Sequence, residues 1–411
     1  EEDDASANLS VEVPLGEGLI KAGGRIRSRS RAFRERRFDH LTDEANFSGD
    51  PDAYIDDQAG LREEGTFGTY VLDRTQDRNN YDADQEGGAG FLMAELPVPG
   101  VPALEMVGGV RVEHSEMSLS TFEDRLQGDF SNTDVLPSAN LIWSLRESMN
   151  LRLAYGRTIA LPSFREFAPF ESFSFVGDYI ERGNESLTRT RVDNFDLRWE
   201  WFTGPGELLS ASVYYKDFTD PIERTIDPQA AANQVVTYRN RDKATVYGLE
   251  LEARTRLDDL ATWLRHVQVG GSLTLSQSEI TRTEEVLEAI RAFDDDPSDT
   301  RPLQGQSPYL LNLNLGYQHP EAGTSVNVYF NRFGDRLDTV SRNGVDIYER
   351  ARSTLNVRAS QRLLRGVEAT VAVDNILGSE EIVSQEFGGT EFVNDLRPLG
   401  RTVSLSLSYS Y

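Results

Sequence analysis

The sequence contains no cysteine at all, which excludes both a disulfide framework and a thiolate metal site. Its four histidines, His40, His114, His266 and His319, are scattered without the paired spacing of a metal site. No G-x-S-x-G, H-E-x-x-H or phosphate-cradling glycine loop occurs, so no catalytic residue, cofactor-binding residue or metal ligand is expected. Long apolar runs are missing too. No stretch reaches the roughly 18 apolar residues of a membrane helix, which rules out a helical membrane protein and leaves a β-barrel open. The N-terminus "EEDDASANLS" shows no basic region followed by an apolar core. The chain is therefore expected to be cytosolic, or else an internal or mature piece of something longer. Basic residues are scarce: 42 Lys and Arg against 68 Asp and Glu give a formal charge of −26. That is the reverse of what a nucleic-acid surface requires.

The acidic excess is uneven. Fourteen acidic residues fall between Asp39 and Glu86 against only Arg62, Arg74 and Arg78, and "FDDDPSD" at 293–299 forms a second cluster. Solvated loop is the plain reading of such runs, with divalent-cation binding or a saline habitat as alternatives.

What the sequence does contain is alternation. In the closing "VSLSLSYSY", Val403, Leu405, Leu407, Tyr409 and Tyr411 alternate with four serines. A period of two places the two sets on opposite faces of a strand. The same pattern recurs at Leu151–Tyr155, Phe195–Trp201, Leu249–Glu252, Leu311–Leu315 and Val367–Val373. In several of these the second row carries Arg, Asp, Glu or Asn, which suits a wet surface better than a second packed sheet. The mean hydropathy of −0.48 is then uninformative, because half of every barrel strand is polar.

Counting such runs predicts about fifteen strands, at 8–14, 17–36, 88–97, 104–125, 134–146, 149–159, 191–203, 207–219, 243–257, 266–279, 308–319, 323–337, 346–361, 366–376 and 401–411. Short connections such as "PLGEG", "FTGPGE" and "QHPEAG" alternate with long polar ones at 37–87, 126–133, 160–190, 220–242, 280–307, 338–345 and 377–400. Outer-membrane barrels sort their connections in this way, with short turns periplasmic and long loops extracellular. The expected class is an all-β, antiparallel transmembrane barrel. An odd count that begins on the extracellular side does not match an even-stranded barrel with both ends periplasmic, so further strands are expected upstream. The first and last strands would both run downward, which leaves a seam that is either parallel or unpaired.

The alternation nominates residues. Arg152, Asp196, Arg198, Glu200, Glu250, Glu252 and Arg254 are expected to face the lumen, as cross-strand ion pairs or as the wall of a solute path. Trp199, Trp201, Tyr409 and Tyr411, together with Tyr215 and Tyr317, fit an interfacial aromatic girdle. The loop "LPSFREFAPFESFSFVGDYIERGN" is rich in phenylalanine. Phe164, Phe167, Phe170, Phe173 and Phe175 either pack the loop onto its neighbours or face a vestibule. Of these, Phe167, Phe170, Phe173 and Phe175 are the candidates for touching a solute.

The stretches "GGVRVEHSEMSLS", "DVLPSANLIWSLRESMNLRLAYGRTIALPSFREFAP", "RGNESLTRTRVDNFDLRWEWF" and "SASVYYKDFTDPIE" resemble, in order and spacing, the distal half of the barrel of TonB-dependent receptors. "YGLELEAR", "AVDNILG" and "GRTVSLSLSYSY" resemble that family's later strands. Where the family commonly has Arg-Pro and Gly-Asn-Pro, this chain has Leu161-Pro162 and Gly183-Asn184-Glu185. The resemblance implies a barrel of about 22 strands with a plugged lumen. About seven strands, the plug domain and the N-terminal box that engages a TonB-type energy-coupling protein would then be absent here. It further implies energy-coupled uptake of a scarce solute, such as a siderophore, cobalamin or a glycan, across the bacterial outer membrane. The alternative is a passive porin or fatty-acid-type channel. The implied partners are outer-membrane lipid, the protein's own plug, the energy-coupling protein and a small solute or glycan. The aromatic C-terminal residue resembles the signal read by barrel-assembly machinery.

Overall fold

The computed structural model describes residues 1–41, 70–122, 127–174, 179–226, 235–258, 260–292, 294–341 and 345–410. Fifteen strands form its wall. The first five are β1 (Glu2–Leu15), β2 (Gly18–Phe33), β3 (Tyr81–Pro97), β4 (Leu104–Thr121) and β5 (Gln127–Arg146). They are followed by β6 (Met149–Ala160), β7 (Thr190–Trp201), β8 (Leu208–Thr219), β9 (Lys243–Arg256) and β10 (Val267–Thr281). The last are β11 (Tyr309–His319), β12 (Thr324–Phe333), β13 (Arg352–Leu364), β14 (Val367–Asp374) and β15 (Thr402–Tyr409). Each pairs with the next, from β1 through to β15, and every one of these pairings is antiparallel. The wall count of fifteen is the one expected from alternation. Among the described residues β1 and β15 are not bonded to each other, so the seam is unpaired rather than parallel.

Residues directly opposite on paired strands share a face, and the register therefore sorts the whole wall. One row runs Arg152, Arg198, Ser212, Glu250, Thr274 across β6 to β10. Its counterpart on the other face runs Leu151, Trp199, Ala211, Leu251, Leu273 and Leu311. At the far end Ser404 and Ser406 continue the polar face through Ala372 and Thr370, while Leu405 continues the apolar one through Val371. The apolar face is bare: Leu153 is 52% exposed, Leu313 47% and Leu405 72%. Water would not tolerate so extended an apolar sheet, whereas lipid requires one. Leu313→Arg is accordingly expected to cost ~2–4 kcal/mol near mid-bilayer and to impair assembly, with Asn314→Arg one residue away tolerated. Denaturant titration of the two variants in lipid checks this, and equal losses would contradict the orientation.

Several boundaries differ from the alternation-based ones, for physical reasons. β1 starts six residues earlier than expected, at Glu2 rather than 8. Its first turns carry no large apolar residue and are held instead by Glu2 and Asp4, which pair with Arg29, Arg31 and Arg27 of β2. β3 starts at Tyr81 rather than 88. There Asp82, Asp84 and Glu86 occupy the face that is apolar lower down, and the pattern disappears although the ladder continues. The stretch 126–133 is not a long loop, since β5 begins at Gln127. The wall strands expected at 323–337 and 346–361 are shorter. Arg336–Thr339 and Ile347–Glu349 peel away into a separate sheet, so that connection runs from Gly334 to Ala351.

The short connections turn on glycine where the geometry demands it. Gly323 and Gly366 both have positive φ, at 65° and 81°, a region closed to most side chains. The long connections carry structure of their own. Glu171–Ser174, Tyr179–Arg182, Val235–Asn240 and Ile222–Ile226 make one four-stranded sheet. Arg336–Thr339, Ile347–Glu349, Glu380–Phe387 and Thr390–Pro398 make another, and Phe38–Leu41 pairs with Tyr70–Asp73. Most of the acidic run 39–86 lies outside the described residues.

Candidate functional site

The site consists of the wall's polar face and the roof that the long connections build over one end of it. The roof's anchor is apolar. Ser163 caps a one-turn helix, Phe164–Phe167, through a reciprocal pair of bonds with Glu166. This cap aims Phe164 and Phe167 back at the wall. They join Phe170 and Leu187 in a cluster with Tyr81, Ala83, Met117, Leu119 and Phe130, all from the polar faces of β3, β4 and β5. Phe33 stacks on Tyr81 with ring centroids 5.2 Å apart and 17° between planes. Gly183 lets the returning chain pass, because a Cβ there would meet the Ala168 carbonyl oxygen at 1.9 Å. Asn184 then ties three elements: its N–H donates to the Glu166 carbonyl at 2.7 Å, its amide to the Tyr238 carbonyl at 2.8 Å, and its Oδ1 accepts from Ser186.

A buried ionic lock holds the roof segments to one another. Glu223 is fully buried and accepts both arms of Arg301, at 2.9 and 2.5 Å, and the Nε of Arg241 at 3.1 Å. Next to it, Arg224 donates to Asp338 at 3.2 Å, to Thr339 at 2.5 Å and to the Tyr179 hydroxyl at 2.5 Å. Among the described residues a single isolated parallel bridge, Thr225 to Val340, joins the two four-stranded sheets. Burial pushes the Tyr238 phenol well above its usual range, and its hydrogen bond to Glu181 adds to the effect. Burial likewise raises the Asp346 carboxyl, against the opposing pull of the Ser341 N–H and Arg282. These contacts join four long connections, and the sequence offers no local sign of them: Glu223 and Arg301 stand 78 residues apart.

On the wall, the seven charged candidates do share one face. Arg152 pairs with Glu200 at 2.7 Å, and Arg198 bridges Glu200 at 2.9 Å and Glu252 at 3.2 Å. Arg254 instead donates to the Gly206 carbonyl of the neighbouring turn at 2.8 Å. Asp196 and Glu250 make no ion pair among the described residues; Glu250 lies in the Arg198 row, opposite Ser212, while Asp196 lies in a neighbouring row between Ala154 and Tyr214. Trp199 and Trp201 lie on the opposite, apolar face with rings 6.4 Å apart, and Tyr409 is on that face too. Tyr155, Phe195, Tyr215 and Tyr247 form a second aromatic row across β6 to β9, in strict register.

The phenylalanines divide. Phe167 is 0% exposed and Phe170 4%, so both serve packing and offer no surface to a solute. Phe175, the side chain of Phe173 and Tyr411 lie outside the described residues. The histidines are not all scattered in space. His266 and His319 stack with ring centroids 4.2 Å apart at the short-turn rim, yet no group of three metal-ligating residues exists among the described residues.

With this geometry in view, the model of the family described as TonB dependent receptor-like, beta-barrel matches residues 12–376. The chain belongs to that family. Solved structures show the same fold across the whole chain. A ferric enterobactin receptor from Pseudomonas aeruginosa superposes with a TM-score of 0.60 at 17% identity, covering 100% of this chain and 54% of that one. The copper transporter OprC gives 0.65 at 14% identity, covering 100% and 57%. The ferric citrate transporter FecA gives 0.62 at 12%, covering 99% and 54%. A haemoglobin and haemoglobin-haptoglobin-binding protein of Haemophilus ducreyi is 25% identical over 168 residues, 40% of this chain and 17% of that protein. The chain thus spans little more than half the length of these solved relatives and a smaller share of the curated one. Among the described residues no helix is long and apolar enough to cross a membrane, which says nothing against crossing by strands.

Proposed function

We propose that this chain is the barrel wall of an outer-membrane receptor that imports a scarce solute by coupling to a TonB-type protein. The observation that carries the proposal is the division of fifteen in-register strands, in a member of this family, into a bare apolar face and a charged face roofed at one end. The apolar face meets outer-membrane lipid, with Trp199, Trp201 and Tyr409 at headgroup level. The charged row from Arg152 to Arg254 lines the lumen and seats a plug domain, while the roof forms the extracellular mouth. The named relatives handle ferric enterobactin, ferric citrate, copper and haemoglobin, which supports import of a scarce solute, such as a siderophore, cobalamin or a glycan, as the general class.

The test is uptake by cells expressing the full-length protein, with a panel of ferric siderophores, cobalamin, haem and oligosaccharides. Uptake of one solute is expected to collapse when the energy-coupling protein is deleted. Uptake indifferent to that deletion, with steady conductance in planar bilayers, would instead make the protein a passive porin. The topology has its own check. An epitope inserted in 280–307 should be reachable on intact cells, whereas labelling at Gly204, in the short turn between β7 and β8, should not occur.

A further inference from the structure

The roof has two outer edges, and they are finished differently. At one end the strand Glu171–Ser174 is met by the turn Asp77–Asn79, where Asn79 Oδ1 accepts the Glu171 N–H at 3.2 Å. At the other end Thr390–Pro398 pairs with Glu380–Phe387 on one side and, among the described residues, with no strand on the other. This last strand is bare on both faces. Phe392, opposite Gln385, is 49% exposed, while Val393 and Leu396, on the other face opposite Ser384 and Ile382, are 56% and 49% exposed. Ser384 itself is fully buried, so cover fails at the last strand of the sheet and not before it. Loss of cover on both faces at once is what a missing neighbouring strand produces.

Free edges of native sheets are commonly guarded by outward charge. Here the three charged side chains of the strand are engaged within the sheet: Glu391 pairs with Arg350 at 2.8 Å, and Arg397 with Asp395 at 2.7 Å and Glu381 at 3.6 Å. A bulge at Asn394 divides the strand into two short ladders. The position of this edge is fixed by topology. The sheet order Arg336–Thr339, Ile347–Glu349, Glu380–Phe387, Thr390–Pro398 repeats the order β12, β13, β14, β15 of the wall strands to which these segments connect. Its bare edge therefore lies on the same side as the bare edge of β15. Only Leu399–Arg401 separates the two strands, and that corner is tied to the neighbouring one: Asn375 Nδ2 donates to the Gly400 carbonyl at 2.7 Å, and Arg401 Nε to the Ile376 carbonyl at 2.9 Å. Both strands of the hairpin turn the corner together, so one bare edge runs from Thr390 to Tyr409.

We propose that in the full-length protein Thr390–Pro398 is paired by the same strand that pairs with β15, a strand of this polypeptide outside residues 1–411 that rises out of the membrane and completes the roof. β15 is unpaired at lipid level among the described residues, where each open backbone group costs several kcal/mol. A partner at β15 is therefore required, and it meets the roof edge if it is long enough. β5 is a single wall strand of 20 residues, which suffices to follow the edge from Tyr409 to Thr390. The chain covers 54% to 57% of the solved relatives, so proteins of this fold have further chain from which such a strand can come. The antiparallel partner of a descending strand ascends, so it passes β15 first and the roof edge afterwards. A strand that closed the wall alone would stop level with Thr402 and leave Phe392, Val393 and Leu396 to water. The seam is thus shared by wall and roof, and the roof is held at both of its ends.

The test places photoreactive p-benzoylphenylalanine singly at Leu405, Leu396 and Phe392 of the full-length protein in reconstituted vesicles and maps the crosslinked peptides by mass spectrometry. All three positions are expected to link within one molecule to one segment outside residues 1–411. The points of attachment should advance along that segment from Leu405 to Leu396 to Phe392, by about nine and then about four residues, since antiparallel strands pair residue for residue. Amide exchange in the unsubstituted protein provides a second reading that no failure of a variant to fold can obscure. A paired edge predicts slow exchange at consecutive residues of 391–397, within about tenfold of one another, whereas a free edge leaves every second amide fast. The proposal is overturned if Leu405 links to such a segment while Leu396 and Phe392 do not, or if the roof positions link to a different segment, to a second copy or to another protein. Fast exchange at alternate amides would overturn it as well. Each of these outcomes leaves the transport reading untouched, because uptake is measured separately.

Discussion

Glu223→Ala is expected to open the roof while leaving the wall intact. The substitution leaves Arg301 buried and Arg241 nearly so, with no carboxylate between them. Removing one partner of a buried ion pair costs about 3–5 kcal/mol, most of it the penalty of an uncompensated buried charge. The loss should appear as faster amide exchange over 222–226, 235–240 and 300–301, by roughly two to four orders of magnitude, with β6 to β13 unchanged. The double variant Glu223→Ala with Arg301→Met should exchange more slowly than the single one, since it removes the more deeply buried of the two stranded charges. If the single variant exchanged like the wild type, the lock would have no energetic role.

Phe167→Ala should act at the other end of the roof with a comparable cost. The ring is completely buried among Phe130, Phe164, Phe170 and Leu187, and deleting a fully packed phenylalanine costs about 3–5 kcal/mol through lost transfer energy and the cavity left behind. Gly128 sharpens the expectation, because a Cβ at that position would lie 2.6 Å from the Phe167 ring. The site is packed from both sides and cannot collapse readily. Limited proteolysis of the 160–190 connection should be markedly faster in Phe167→Ala, and Phe167→Leu should be intermediate. If Phe167→Ala instead kept its protease resistance and lost solute binding, Phe167 would belong to the solute path after all.

Where two solvents meet on opposite faces of a strand, the sequence records both. "YLLNLNLGYQH" states its lipid row and its lumen row residue by residue, and β11 lies where that pattern puts it. The pattern fades above the membrane, where both faces are wet. Asp82, Asp84 and Glu86 continue β3 without any apolar row. The faces of Arg152, Arg198 and Glu252 were legible for the same reason, although the choice of partner among neighbouring strands was not. The roof was least legible. Its strands are short, and its decisive contacts join residues such as Arg224 and Asp338, 114 positions apart, for which no periodicity exists. The run of phenylalanines announced a cluster, but whether it packed or faced a vestibule depended on residues of β3, β4 and β5 that no local pattern links to it. The stacked pair of His266 and His319 likewise depends on the register of β10 with β11.

The most direct test of the central claim uses the absence of cysteine from this sequence. Single cysteines would be introduced in the full-length protein at Leu311, Asn312, Leu313, Asn314 and Leu315, and each variant labelled in reconstituted vesicles with a membrane-impermeant maleimide. The same sites would be probed with a fluorophore whose emission is quenched from the lipid phase. A two-faced wall predicts a strict period of two: quenching from lipid at 311, 313 and 315, and aqueous labelling without lipid quenching at 312 and 314. Uniform aqueous labelling at all five positions, or quenching that ignores the alternation, would contradict a wall with lipid on one side and a solute path on the other.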